Sequence, residues 1–283
     1  MSSFSERQGY DLPKAIRFRD ELPEELRIPI YDILRRNLSP AFLLELAESI
    51  LNPYGIDQLP RYTGALSVSK EEDIPQLIAF KRLFLGCEWF RIYDIIEDAF
   101  KHLDFYEEEF ADREEEQPRA YPMQAALNLY FLHAGIGWRM VEGKIVTRGD
   151  DAFENTIHTS DALSEHRPTA AQRLHTAIES LSKRPKPDTA GAVSDAISAI
   201  ECVLTDVTGV KAGQNASLSE FIKDQRFFPG SLKKAMEGLW GYASNQGARH
   251  GKEGVEPVFV EAQFVVAVCA AISTLLNATH PKS

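Results

Sequence analysis

Arg249 and His250 stand side by side in the stretch Trp240-Gly-Tyr-Ala-Ser-Asn-Gln-Gly-Ala-Arg-His-Gly-Lys-Glu-Gly254. Two glycines, Gly247 and Gly251, flank the pair. Lacking a Cβ, they let the backbone turn tightly and let a ligand approach closely. Arginine offers a fixed cationic fork for a phosphate, and histidine both takes and gives a proton near neutral pH. Together they suit phosphodiester chemistry. By residue type alone, a surface turn with incidental charge is the commoner meaning of such a pair.

The elements around this stretch read as helices. Leu174, Ala177, Ile178 and Leu181 form one apolar stripe, which Pro185 and Pro187 bring to an end. A second stripe comprises Val193, Ala196, Ile197, Ile200, Val203, Leu204 and Val207. A third helix turns Leu232, Ala235, Met236, Leu239 and Trp240 inward. A fourth does so with Phe264, Val265, Val268, Cys269, Ile272, Leu275 and Leu276. Four amphipathic helices bury their stripes most simply as a bundle.

Helical intervals also mark Pro23 to Leu34, Ala41 to Leu51, Pro75 to Leu85, Trp89 to Phe100 and Pro122 to Ala134. Pro29 is expected to kink or shorten the first of these. The period then changes. Ile136-Gly-Trp-Arg-Met-Val-Glu-Gly-Lys-Ile-Val-Thr147 alternates around Glu142-Gly143, which predicts a small β-hairpin. Asp151 to Glu165 returns to helix, and His166-Arg-Pro168 is the expected hinge between a domain at 1–165 and another at 166–283. The fold class is mostly α, a helical front domain with one hairpin followed by a helical bundle.

The chain has 283 residues, 44% hydrophobic and 26% charged, which excludes collagen-like, disordered and disulfide-scaffold classes. Its net charge of −11 is uneven: residues 1–165 hold 18 Lys+Arg against 31 Asp+Glu, a balance of −13, and residues 166–283 hold 13 against 11, a balance of +2. Bulk electrostatics therefore oppose general nucleic-acid binding; Lys211, Lys223, Arg226, Lys233, Lys234, Arg249 and Lys252 are candidates for a local basic rim, although scattered lysines more often solvate a surface than bind RNA. Cys87, Cys202 and Cys269 lie far apart among apolar neighbours, as buried free thiols do. No metal-ligand spacing and no phosphate-binding Gly-rich loop occurs, so no metal or cofactor is expected. The apolar run from Phe264 to Leu276 falls short of a bilayer span, and the N-terminus has no apolar signal core. A cytoplasmic protein without a membrane partner is the expectation.

Phe4-Ser-Glu-Arg-Gln-Gly-Tyr10, Leu22-Pro-Glu-Glu-Leu-Arg27 and Trp89-Phe-Arg-Ile-Tyr-Asp-Ile-Ile-Glu97 resemble the fourth class of AbiJ N-terminal domains. Ser194-Asp-Ala-Ile-Ser-Ala-Ile-Glu201 and Gly241-Tyr-Ala-Ser-Asn-Gln-Gly-Ala-Arg-His250 are similar to paired segments of HEPN-like domains, helical bundles of abortive-infection proteins and RNA nucleases. The resemblance implies a metal-independent endoribonuclease in antiviral defence, homodimeric through its C-terminal domain, with RNA as partner and the front domain as regulator.

On that resemblance His250 would move the 2′-hydroxyl or 5′-oxygen proton, and Arg249 would stabilise charge building at phosphorus. Ser244, Asn245 and Lys252 would hold the substrate. Glu201 would orient the histidine or, equally, fix the shape of the loop. Asp195 lies about two turns before Glu201. The sequence departs from the family's usual arginine, four to six residues, then histidine. Counting back from His250 reaches Asn245, Ser244 and Ala243, and counting forward from Arg249 reaches Gly254, Val255 and Glu256. Whether the site cuts is therefore open, and the alternative is a non-catalytic module that dimerises or binds a nucleotide or partner.

Overall fold

The computed structural model describes residues 15–51, 75–109, 120–209, 230–245 and 256–280. These residues form two compact units, 1–145 and 146–283, each with its own apolar core. The division falls inside a β-strand, earlier than the expected hinge.

The first unit holds α1 (Glu24–Asn37), α2 (Pro40–Leu51), α3 (Pro75–Gly86), α4 (Trp89–Glu109) and α5 (Ala120–Ala134), then β1 (Trp138–Val141) and the start of β2 (Lys144–Thr147). Helix α1 continues through Pro29, so of the expected kink or shortening the shortening does not occur. A helical proline removes one N–H bond, here the one to Glu25, while Ile30, Tyr31 and Leu34 after it are buried and hold the helix to its neighbours. Arg27 is a further tie: Nε donates to the Leu22 carbonyl at 2.7 Å, and Nη1 to those of Leu85 and Cys87 at 2.8 and 2.6 Å. One α1 side chain thereby satisfies carbonyls at the end of α3, where a helix has no bonds of its own to offer.

The expected hairpin is present. Glu142 and Gly143 both adopt positive φ, 47° and 75°, as the tight turn between twisted strands demands. Helices supply the hydrogen bonds that a lone two-stranded ribbon lacks. Asn128 Nδ2 donates to the Met140 carbonyl at 2.8 Å and its Oδ1 accepts from the Met140 N–H at 2.6 Å. The Gly143 N–H donates to Gln124 at 3.2 Å, and the Ile145 N–H to Glu97 at 2.7 Å. Beneath the hairpin Trp138 packs on Tyr93, Trp89 and, through Tyr93, Phe131, with centroids 5.6 to 6.1 Å apart.

The second unit continues with α6 (Asp151–Ser160), α7 (Leu163–His166), α8 (Pro168–Leu181), α9 (Thr189–Thr208), α10 (Gly230–Asn245) and α11 (Phe259–Thr279). The stretch expected as one helix from Asp151 to Glu165 breaks at Asp161 and Ala162, and Phe153, Ile157 and Leu163 from it enter the second core. Helix α9 packs against α8, α10 and α11, and α11 also packs against α6. The mostly α class with one small hairpin is what the structure shows.

Three inward assignments are corrected. Ala235 is exposed, and on α11 Phe264 and Leu275 are 65% and 42% exposed. The buried face of α11 is instead Ala262, Val265, Val266, Cys269, Ala270, Ser273 and Leu276. Helix α11 is apolar on every side, so its period does not reveal which side the bundle covers. It is 21 residues long and holds an 18-residue window of mean hydropathy 2.0, so by length and composition it is long and apolar enough to cross a membrane, contrary to the expectation that the run falls short. Its buried face supplies the core of the second unit.

Candidate functional site

Helix α9 is built to be surrounded. Asp188 caps its start, Oδ1 accepting from the Gly191 N–H at 2.8 Å, and Lys183 Nζ donates to Asp188 Oδ2 at 2.7 Å. The lysine and the backbone N–H together hold the Asp188 carboxyl below its ordinary range against partial burial. Ala192, Ala196 and Ala199 keep the helix slender, so that α8 and α11 approach closely, and Gly209 in the left-handed conformation closes it.

Glu201 lies among the buried residues of this helix at 6% exposure. A carboxylate so placed is costly unless it is paired, and this one is engaged. Its neighbour Cys202 has its thiol pushed up, chiefly by burial, with Arg173 opposing and Glu201 and Asp206 adding to the rise. Asp195 is accounted for by Arg173, whose Nη1 donates to Asp195 Oδ1 at 3.0 Å and ties α8 to α9.

Ser244 and Asn245 are helical, at the C-terminal end of α10; the polar stretch read as a loop from Trp240 is thus helix through Asn245. Carbonyl dipoles gather negative charge at that end. Arg249, His250 and Lys252 themselves lie outside the described residues.

The structure does show what flanks that segment, and the sequence reading missed it. Tyr242 Oη donates to Glu261 Oε2 at 3.1 Å, joining the end of α10 to the first turn of α11. The same carboxylate accepts from the Val258 N–H at 3.3 Å. Partial burial and the adjacent Glu261 charge raise the Tyr242 phenol above its ordinary value, so it keeps its proton as donor. Lys186 Nζ donates to Glu256 Oε2 at 2.8 Å, and Pro257 is buried. The segment 246–255 therefore leaves from and returns to tied positions. Neither tie follows a motif, because each joins residues brought together by the packing of separate helices.

Among the described residues no group of three or more His, Cys, Asp or Glu could hold a metal ion.

Residues 2–161 match the family described as AbiJ N-terminal domain 4. The chain belongs to this family. It is an abortive-infection family, and the AbiJ segment Trp89 to Glu97 has a structural explanation: Trp89 and Tyr93 build the aromatic cluster around Trp138, and Glu97 holds the second strand of the hairpin. The AbiJ match runs past the first compact unit into α6. No curated protein and no solved structure matches the chain.

Proposed function

We propose that the chain is an antiphage abortive-infection protein whose residues 166–283 form a HEPN-type, metal-independent endoribonuclease, regulated by residues 1–165. The observation that carries this reading is membership of the AbiJ family over the front of the chain. The contacts on either side of residues 246–255 support it, since Tyr242 to Glu261 joins the end of α10 to the first turn of α11 and Lys186 to Glu256 anchors the residues before α11.

In this mechanism a histidine takes the proton of a ribose 2′-hydroxyl, whose oxygen attacks the adjacent phosphorus. The P–O5′ bond breaks, and the leaving 5′-oxygen takes up a proton, leaving a 2′,3′-cyclic phosphate. Arg249 stabilises the charge on the phosphoryl oxygens. One chain carries one His250, and a homodimer provides two, enough for base and acid at one centre.

The outer face of α11 supports the homodimer. Val260, Phe264 and Leu275 are 70%, 65% and 42% exposed, and no charged residue occurs from Ala262 to Thr279. An uncharged apolar stripe is self-complementary about a two-fold axis.

The test is cleavage of RNA by the purified full chain in the presence of EDTA, compared with His250→Ala. Cleavage in chelator that is lost in the variant is the expected result. Activity abolished by EDTA contradicts the metal-free mechanism, and activity untouched by the substitution removes His250 from it.

A further inference from the structure

The outer face of α11 repeats at intervals of three and four residues: Val260, Phe264, Ala267, Val268, Ala271 and Leu275. Ala267 and Val268 are half-buried, and Ala271 is exposed like the three large residues of the stripe. The face thus has bulk toward its ends and small side chains in the middle. Phe264 and Ala271, seven residues apart, lie two turns apart on the same side of the helix.

We propose that two copies of the chain pair α11 against α11 in antiparallel orientation, about a two-fold axis that passes between Ala267 and Val268. The inference rests on the homodimer reading above and adds its arrangement. That axis sets Phe264 against the partner's Ala271 and Val260 against the partner's Leu275. Each large exposed side chain of the helix then has a place to go, and the alanines let the helix axes approach to about 8 Å. A register that opposes Phe264 and Leu275 holds the helices apart and leaves the alanines facing a gap.

Charge selects the orientation. Glu261 is the one charged residue of α11. A parallel pair brings both carboxylates to one end, whereas the antiparallel pair sets them about 20 Å apart along the helix. Charge also selects the occupant. Helices that lie on a bilayer carry lysine and arginine on their polar side; α11 has neither, and an anionic leaflet repels a chain of net charge −11. Residues 166–283, at a balance of +2, meet a second copy of themselves with little repulsion.

Phe264→Cys/Ala271→Cys in the full chain, oxidised with copper phenanthroline, tests the arrangement, with the unmodified chain as baseline. The expected result is a crosslinked dimer from the double variant and from neither single variant. Like positions lie about 10 Å apart along the helix in this register, beyond the Cα reach of a disulfide, about 7 Å, and the same distance prevents a bridge within one helix. In sedimentation equilibrium Ala271→Phe should weaken dimerisation at least about tenfold, and Ala278→Phe, also exposed but beyond the contact, should leave it unchanged.

A dimer that gives no crosslink in the double variant, that crosslinks through Phe264→Cys alone, or that tolerates Ala271→Phe overturns this arrangement and leaves the homodimer standing. A monomer at micromolar concentration removes both. Flotation of the chain with phosphatidylcholine vesicles, abolished by Phe264→Glu, assigns the face to lipid and overturns the pairing. None of these measurements involves RNA, so the ribonuclease reading stands or falls separately on His250→Ala.

Discussion

The Arg167 guanidinium donates to Asp206 Oδ2 at 3.0 Å, joining the residue before α8 to the end of α9. Its other nitrogens reach Asn277 Oδ1 at 3.0 Å and the His280 carbonyl at 2.7 Å, so the end of α11 is drawn into the same knot. Arg167 is 3% exposed. The segment expected to be a hinge is thus a clasp of the second unit. Arg167→Met should lower stability by about 2 to 4 kcal/mol, read from the midpoint of urea denaturation, because three acceptors lose a charged donor. The figure sits below that for a fully buried pair because the Asp206 side chain is 34% exposed and water can reach it.

Two glycines with the same left-handed backbone should respond differently to alanine. At Gly143 an added Cβ would lie 2.4 Å from Phe100 Cδ1, whereas at Gly209 nothing among the described residues lies within 4 Å. Gly209→Ala should cost about 1 kcal/mol from backbone strain alone, and Gly143→Ala about 2 to 3 kcal/mol, since the aromatic ring must also shift. Equal losses in paired denaturation curves would contradict the assigned contact.

The Asp188 carboxyl titrates below its ordinary value in the folded chain, first because of Lys183 and then because of the Gly191 N–H. A depressed folded value means that the stabilisation is present above the unfolded value and is lost as pH falls through the folded one. Asp188→Asn can still cap α9, so it removes the charge and keeps the cap. The variant should be less stable at neutral pH and converge on the unmodified chain in acid, as denaturation midpoints across the acid range would show.

Thiol labelling should sort the cysteines by depth. Burial pushes the Cys269 thiol far above its ordinary range, and Cys87 and Cys202 are raised as well, with Arg27 and Arg173 opposing burial. Cys269 should resist iodoacetamide until the chain is unfolded, and Cys87 and Cys202 should react slowly, as peptide mass spectrometry would record.

The α11 stripe gives a direct test of assembly. Phe264→Glu places a charge on the exposed apolar face without entering the core, so it should shift sedimentation toward monomer with an unchanged thermal melt. An unmodified chain that sediments as a monomer at micromolar concentration would remove the dimer.

The hairpin was legible because Glu142-Gly143 is a strong local signal between alternating residues, and α4 was legible because Trp89, Ile92, Tyr93, Ile96 and Phe100 recur at helical spacing. Local signals failed where tertiary contacts decide. Pro29 did not end its helix, since the packing of Ile30 and Leu34 outweighs one lost bond. Phe264 and Leu275 were assigned inward because an all-apolar helix gives no direction. Among the candidate residues, the depth of Glu201 was implied by its place between Ile200 and Val203, and its acidity disguised this. The ties Tyr242 to Glu261 and Lys186 to Glu256 have no local signature at all.

The way helices grip the hairpin has a bearing on unwanted association. An unguarded ribbon exposes rows of amide and carbonyl groups on which another chain can nucleate a fibre. Here Asn128, Gln124 and Glu97 already occupy such groups at Met140, Gly143 and Ile145. Substituting these three side chains would open a seam for self-association, which makes them guards against strand pairing with another chain as much as parts of the fold.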